Sequence, residues 1–217
     1  MTWEVEVDKA GFYKLGVRYK QYLNRGFYSA RYLTINGELP FAEAAEIRFQ
    51  YDPDWTSGFL GGENGDYYFY LDKGVNTITM TATLGELTDA VELVSESVDN
   101  LNDLYRQLTA VTGSNPDQYR DYNILGYVPN MVSDLELEYT RLNAVVDAFG
   151  EDIHSANKTS SVAQMMEVML KLIKRPNDIA KYQSGFNSKL SGLADWVNNI
   201  NDLPLELDYL VVCGEGY

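Results

Sequence analysis

The chain has 217 residues, 45% hydrophobic and 13% aromatic, a globular composition long enough for one full core or two small ones. Seventeen Lys and Arg against 32 Asp and Glu give a formal charge of −15, which argues against binding DNA, RNA or an anionic membrane surface through phosphates. One cysteine, Cys213, and one histidine, His154, exclude a disulfide framework, a Cys-based zinc cluster and His-pair metal sites, and no apolar run approaches the roughly 18 residues a membrane span needs.

Residues 2–8, Thr-Trp-Glu-Val-Glu-Val-Asp, alternate apolar and polar and predict a half-buried strand that starts at once, with no signal peptide before it. Further strands are expected at 12–20, 30–36, 44–51, 66–72 and 76–84. Ala10-Gly11, Asn36-Gly37 and Lys73-Gly74 supply turn chemistry between them. Six short strands joined by turns predict an antiparallel sandwich or barrel.

At Gly85 the period changes to three and four. Leu87, Val91, Val94, Val98, Leu101, Leu104, Leu108 and Val111 predict an amphipathic helix closed by Gly113. A second helix runs from Met131 to Phe149 and a third from Val162 to Ile173, ended by Pro176. A fourth follows Asn177 and runs to Ile200, with Gly185 a point where it could bend or split. Four such stripes predict a small bundle.

After Pro204 the period returns to 2, with Leu205, Leu207, Tyr209 and Val211 set against Glu206, Asp208 and Leu210. A lone strand after a bundle has no local partner, so this one is expected to complete the sheet begun at Trp3. The fold class is then α+β: an antiparallel β-sandwich, residues 1–85 plus 204–217, with a helical-bundle insertion, 86–203, before the last strand. A fold that opens and closes inside strands is expected to be a segment of a longer chain, so the missing signal peptide says little about compartment.

Trp3 to Tyr13, with its W-x-V-x-V strand and A-G-x-Y turn, and Leu15 to Tyr19 resemble the opening of galactose-binding-like carbohydrate-binding modules, which are jelly-roll sandwiches. Tyr32 to Gly37, Leu71 to Met80 and Leu207 to Val211 resemble that fold's later strands. Arg31 to Asn36, Pro40 to Glu43, Tyr105-Arg106, Gly113 to Asp117, Arg120-Asp121-Tyr122 and Trp196 resemble a domain embedded in large bacterial extracellular solute-binding proteins of sugar-type ABC uptake systems. That resemblance implies a lipoprotein parent, an extracellular, cell-surface location and the rest of the parent chain as a partner. It carries over no ligand.

In the sugar-binding modules one end of the sandwich carries the ligand. Strand parity places loops 21–29 and 52–65 at that end, and these loops are aromatic. Tyr22, Arg25, Tyr28, Trp55, Phe59 and Asp66 form the candidate ligand-binding set: ring faces stack on sugars while Arg and carboxylates bond hydroxyls. The alternative is that these aromatics seat the helical insertion. The insertion also occupies the place of the modules' last ligand loop.

The modules' calcium site draws on a strand ahead of Trp3, absent here. Asp52, Asp54, Glu63 and Asp66 are hard oxygen donors, but read more simply as solvated loop charge, so no metal or cofactor is expected. Gly61-Gly62-Glu63-Asn64-Gly65 neither follows a strand directly nor opens a helix, so it is no phosphate cradle. His154 and Cys213 read as bystanders, and no catalytic motif is present. The expectation is a non-catalytic accessory module, with carbohydrate as its candidate ligand, no nucleic-acid partner and no membrane insertion. The alternative is a structural or protein-interaction domain whose helical insertion docks on the parent or a partner and binds no sugar.

Overall fold

A computed structural model describes residues 1–23, 25–149 and 159–214. The chain divides into two units: Met1–Glu86 with Ile200–Tyr217, and Leu87–Asn199.

The first unit is an antiparallel β-sandwich. One sheet holds, in order, β1 (Thr2–Val7), β9 (Gly74–Thr83), β3 (Tyr28–Ile35) and β4 (Ile47–Gln50). The other holds β10 (Glu206–Cys213), β2 (Gly11–Gln21) and β5 (Asp52–Phe59), with β8 (Phe69–Leu71) also paired to β2. The short hairpin β6 (Gly61–Gly62) and β7 (Gly65–Asp66) links β5 to β8. Alternation sends Leu15, Val17, Leu33, Ile47, Phe49, Phe69, Ile78 and Met80 into one core between the sheets. Each such side chain contributes about 1.5–3 kcal/mol when fully buried.

Three sequence expectations are corrected. The expected strand 44–51 is a 3-10 turn, Ala42–Glu46, followed by β4. The expected strand 66–72 contracts to β8. The expected loop 52–65 contains β5, an eight-residue strand held by its ladder with β2 rather than by apolar alternation.

The closing strand joins the sandwich, but not the sheet of Trp3. β1 pairs with β9, whereas β10 pairs with β2 in the facing sheet. The register of β10 shifts between Leu207 and Tyr209, a bulge at Asp208 that reverses which face later residues occupy. Leu205, Leu207, Leu210 and Val212 therefore pack on the core, and Tyr209 and Val211 point out, against the simple alternation read from sequence.

Side chains of β3 hold the chain as it re-enters the sandwich. Ser29 Oγ donates to the Pro204 carbonyl at 2.6 Å, and the buried Arg31 guanidinium donates to the Leu203 carbonyl at 2.9 Å. At the exit, Gly85 adopts φ +56, and its missing Cβ leaves room for the Glu46 carboxylate, which accepts from the Glu86 backbone N–H at 3.0 Å.

The second unit is helical: α1 (Thr88–Thr112), the short α2 (Ile124–Tyr127), α3 (Met131–Phe149), α4 (Ser160–Lys174) and α5 (Ile179–Asn201). α1 packs on α3 and α3 on α4. Tyr105 of α1 stacks on Phe186 of α5 at 6.0 Å, and Lys189 of α5 reaches Gln164 of α4. α5 passes through Gly185 without a break. The methionines Met165, Met166 and Met169 fill the interior, as core residues. Buried Glu138 is satisfied by Asn100 at 2.8 Å and by Arg141, which also reaches Glu96 on α1. Among the described residues, no helix is long and apolar enough to cross a membrane. His154 lies outside the described residues.

Candidate ligand-binding face

The outer face of the β10-β2-β5 sheet carries the exposed aromatics Trp55, Phe59 and Tyr209. Along β2 the residues Lys14, Gly16, Arg18 and Lys20 point outward, because their odd-numbered neighbours Leu15, Val17 and Tyr19 face the core. Register places Phe59 and Val211 on either side of Gly16, and Ser57 and Tyr209 on either side of Arg18.

Gly16 is buried in the middle of the face, and the Val211 and Phe59 side chains lean in over it. A Cβ there would lie 2.8 Å from Val211 Cγ2 and 3.4 Å from Phe59 Cε1. Around it lies a shallow groove of ≈ 230 Å³ lined by Gly16, Val17, Ser57, Gly58, Phe59, Tyr209, Val211 and Cys213. The Ser57 and Tyr209 hydroxyls meet at 3.5 Å and bound it on the Arg18 side. Trp55 is 42% exposed, Phe59 38% and Tyr209 44%, so ring surface stays in solvent around the groove.

Two cations stand among these rings, and each has a carboxylate. Lys14 Nζ lies 2.9 Å from Asp66 and 5.2 Å from the ring centroids of both Phe59 and Tyr68. The hydrogen bond to Asp66 is the main cause that raises the Lys14 ammonium pKa above its ordinary value, so Lys14 stays charged across the neutral range. Arg18 lies 2.8 Å from Asp208 and 5.4 Å from the Trp55 ring. Pairs this exposed add little to stability. Their consequence is local: they fix donors and acceptors beside open aromatic surface.

Of the six residues expected at the site, the structure brings Trp55, Phe59 and Asp66 to this face. Tyr22 sits just beyond β2, 43% exposed, with Lys20 Nζ 4.5 Å over its ring. Arg25 is exposed in the connection from β2 to β3. Tyr28 does not join them. It opens β3 in the facing sheet, half-buried, with Arg48 4.6 Å over its ring. Burial, then the hydrogen bond with Glu46, drives its phenol pKa well above the usual range. Lys14, Gly16, Arg18, Asp208, Tyr209 and Val211 were missed by sequence reasoning. The signal was a glycine in mid-strand between outward cations on β2.

Asp66 is engaged by Lys14, and the Asp52 carboxylate accepts from the Asp54 backbone N–H. Among the described residues no group of three His, Cys, Asp or Glu could hold a metal ion. Cys213 is a free thiol at the end of β10.

No curated protein matches the chain. Among solved structures, the native structure of a family 35 carbohydrate binding module from Clostridium thermocellum is similar to it at 21% identity, with a TM-score of 0.31, over 38% of this chain and 56% of that one. The chain thus spans little more than half that module's length. Residues 89–203, just over half of the chain, match the family described as "Bacterial solute-binding protein, 4-helix bundle domain". A sandwich interrupted before its last strand by this bundle is therefore a member of the bacterial solute-binding protein 4-helix bundle family.

Proposed function

We propose that this chain is a non-catalytic accessory module of an extracellular solute-binding protein serving an ABC uptake system, and that its sandwich holds carbohydrate on the outer face of the β10-β2-β5 sheet. The parent would be a cell-surface lipoprotein. One observation carries the carbohydrate reading: Phe59 and Tyr209 keep ring surface in solvent along a groove, and Trp55, also exposed, lies beside Arg18 on the same face. Aromatic rings with a few fixed polar groups beside them are suited to the apolar faces and hydroxyl rims of pyranose rings. The non-catalytic reading is supported by the two carboxylates nearest the groove: Asp66 and Asp208 are each paired with a cation.

The test is calorimetric titration of the full chain with xylohexaose, cellohexaose and mannohexaose at millimolar concentration, alongside a Trp55→Ala/Phe59→Ala variant. Binding by the parent form, abolished in the variant, is expected. Absence of binding to all three, or undiminished binding in the variant, refutes the reading.

A second reading rests on the segment between α1 and α3. Tyr119 is 98% exposed, and Tyr127 and Leu125 are also open to solvent. A surface of this kind favours a protein-interaction role for the helical unit, with the parent chain as partner. Hydrogen exchange at 113–130, slowed in the longer protein relative to this chain alone, is the expected sign. Equal exchange in both refutes it.

A further inference from the structure

We infer that the groove is selective for uncharged glycans over acidic ones, and that the pairs Lys14–Asp66 and Arg18–Asp208 set this selectivity. The inference rests on the carbohydrate reading of the same face and adds the ligand's charge class.

A sugar hydroxyl both donates and accepts. A cation held against a carboxylate offers both functions within one hydrogen-bond length: Lys14 Nζ has donors to spare beyond the one given to Asp66 at 2.9 Å, and the Asp66 carboxylate keeps acceptor capacity. Arg18 and Asp208, 2.8 Å apart, repeat the arrangement on the other side of Gly16. Vicinal hydroxyls can therefore bridge each pair, one accepting from the cation and the other donating to the acid.

A uronate behaves differently. Its carboxylate only accepts, so it can use the ammonium or guanidinium but meets Asp66 or Asp208 beside it with no proton to give. Neither pair offers it net attraction, because Lys14 and Arg18 are each already neutralised. The background is repulsive too: the sandwich unit holds eight Lys and Arg against sixteen Asp and Glu. Had the row Lys14, Arg18 been free of acids, the same geometry would favour an anionic chain. The partners Asp66 and Asp208 decide the sign.

The two pairs also lie where ring surface is open. Lys14 sits between Phe59 and Tyr68, and Arg18 sits over Trp55. A ligand stacked on Phe59 or Trp55 thus places its equatorial hydroxyls beside one pair or the other. Phe59 and Trp55 are four residues apart on one strand face, a span of roughly 13 Å at the usual rise, so the ligand that uses both platforms is an oligosaccharide.

The experiment titrates the full chain with xylohexaose, cellohexaose and mannohexaose and, in parallel, with hexagalacturonate, each at 50 and 300 mM salt, roughly a Debye length of 14 and 6 Å. At least one neutral oligosaccharide is expected to bind with affinity changing less than about two-fold between the salts, and hexagalacturonate at least about ten-fold more weakly. In Asp66→Asn/Asp208→Asn the order should invert: neutral affinity falls roughly ten-fold and hexagalacturonate gains salt-sensitive binding. Tighter binding of hexagalacturonate by the native chain, weakened steeply by salt, overturns the inference while leaving the carbohydrate reading intact. Failure of every oligosaccharide, neutral and acidic, overturns both. The salt series on the native chain stands on its own should the variant not fold.

Discussion

Replacing Gly16 by valine should close the groove and leave the sandwich standing. The new Cβ would lie 2.8 Å from Val211 Cγ2, closer than side chains normally approach, so Val211 must move. It can, because Val211 is 43% exposed and has solvent beside it. Phe59 at 3.4 Å needs to yield only a few tenths of an ångström. Overpacking of this kind costs about 1–3 kcal/mol in a closed core and falls at the low end here. Removing glycine from mid-strand returns about 0.5–1 kcal/mol through the unfolded chain. The net change in stability should lie within about 1 kcal/mol, measurable by urea denaturation. The binding change should be larger. The added methyl groups occupy part of a groove of only ≈ 230 Å³ and push Phe59 and Val211 apart. At least a ten-fold loss of glycan affinity is expected, about 1.4 kcal/mol, read by calorimetry against the best neutral oligosaccharide. A variant that folds normally and binds as tightly as the native chain refutes the placement of the ligand in this groove.

Three other outcomes concern the sandwich itself. Arg31→Met should lower stability by about 1.5–3 kcal/mol in a denaturant melt, because a buried charged donor to the Leu203 carbonyl at 2.9 Å is removed and that carbonyl loses its partner; an unchanged midpoint contradicts the role given to it. Gly85→Ala should cost about 1–3 kcal/mol, since φ is +56 and the Cβ would collide with the Glu46 carboxylate, and a double-mutant cycle with Glu46→Ala should recover the steric share; strict additivity would show that the contact is immaterial. Tyr28 has a folded-state pKa raised above its ordinary 10.0 by burial, then by Glu46, so the native state holds the phenol proton more tightly than the unfolded state. Its contribution is present below pH 10.0 and declines above it, towards the raised value. Tyr28→Phe should flatten that alkaline loss of stability, and an identical pH profile in both forms contradicts it.

Pro204 and the return of period-2 patterning made the closing strand legible at a separation of more than a hundred residues from the first strands. Its facing was not legible. A bulge at Asp208 shifts every later residue by one, so Tyr209 and Val211, which alternation alone sends inward, come out. β5 was hidden because Asp52-Pro53-Asp54 reads as turn chemistry and Gly58 interrupts any alternation; only its ladder with β2 makes it a strand. The four long helices were legible because each presents a full apolar stripe, as in α1 with its clear end at Gly113, where the chain turns at φ 77; the four-residue α2 is too short to show one and was not.

The candidate site was half legible for a related reason. Trp55, Phe59 and Asp66 stood out as aromatic and acidic residues in a turn-rich stretch, and Tyr28 stood out equally, although it lies in the other sheet. Composition marks residue types, whereas membership of a face depends on register. Gly16 meets Phe59 and Val211 only through two ladders, one to β5, whose Phe59 lies 43 residues on, and one to β10 near the end of the chain.

The most direct measurement is a two-dimensional NMR titration of the isotope-labelled full chain with the neutral oligosaccharide that binds best. The shifts should gather at Gly16, Arg18, Ser57, Phe59, Tyr209 and Val211 and at the Trp55 indole N–H, with little change between Leu87 and Asn199. Shifts confined to the helical unit or to Arg25 and Tyr28, with the β10-β2-β5 face unmoved, would contradict the account.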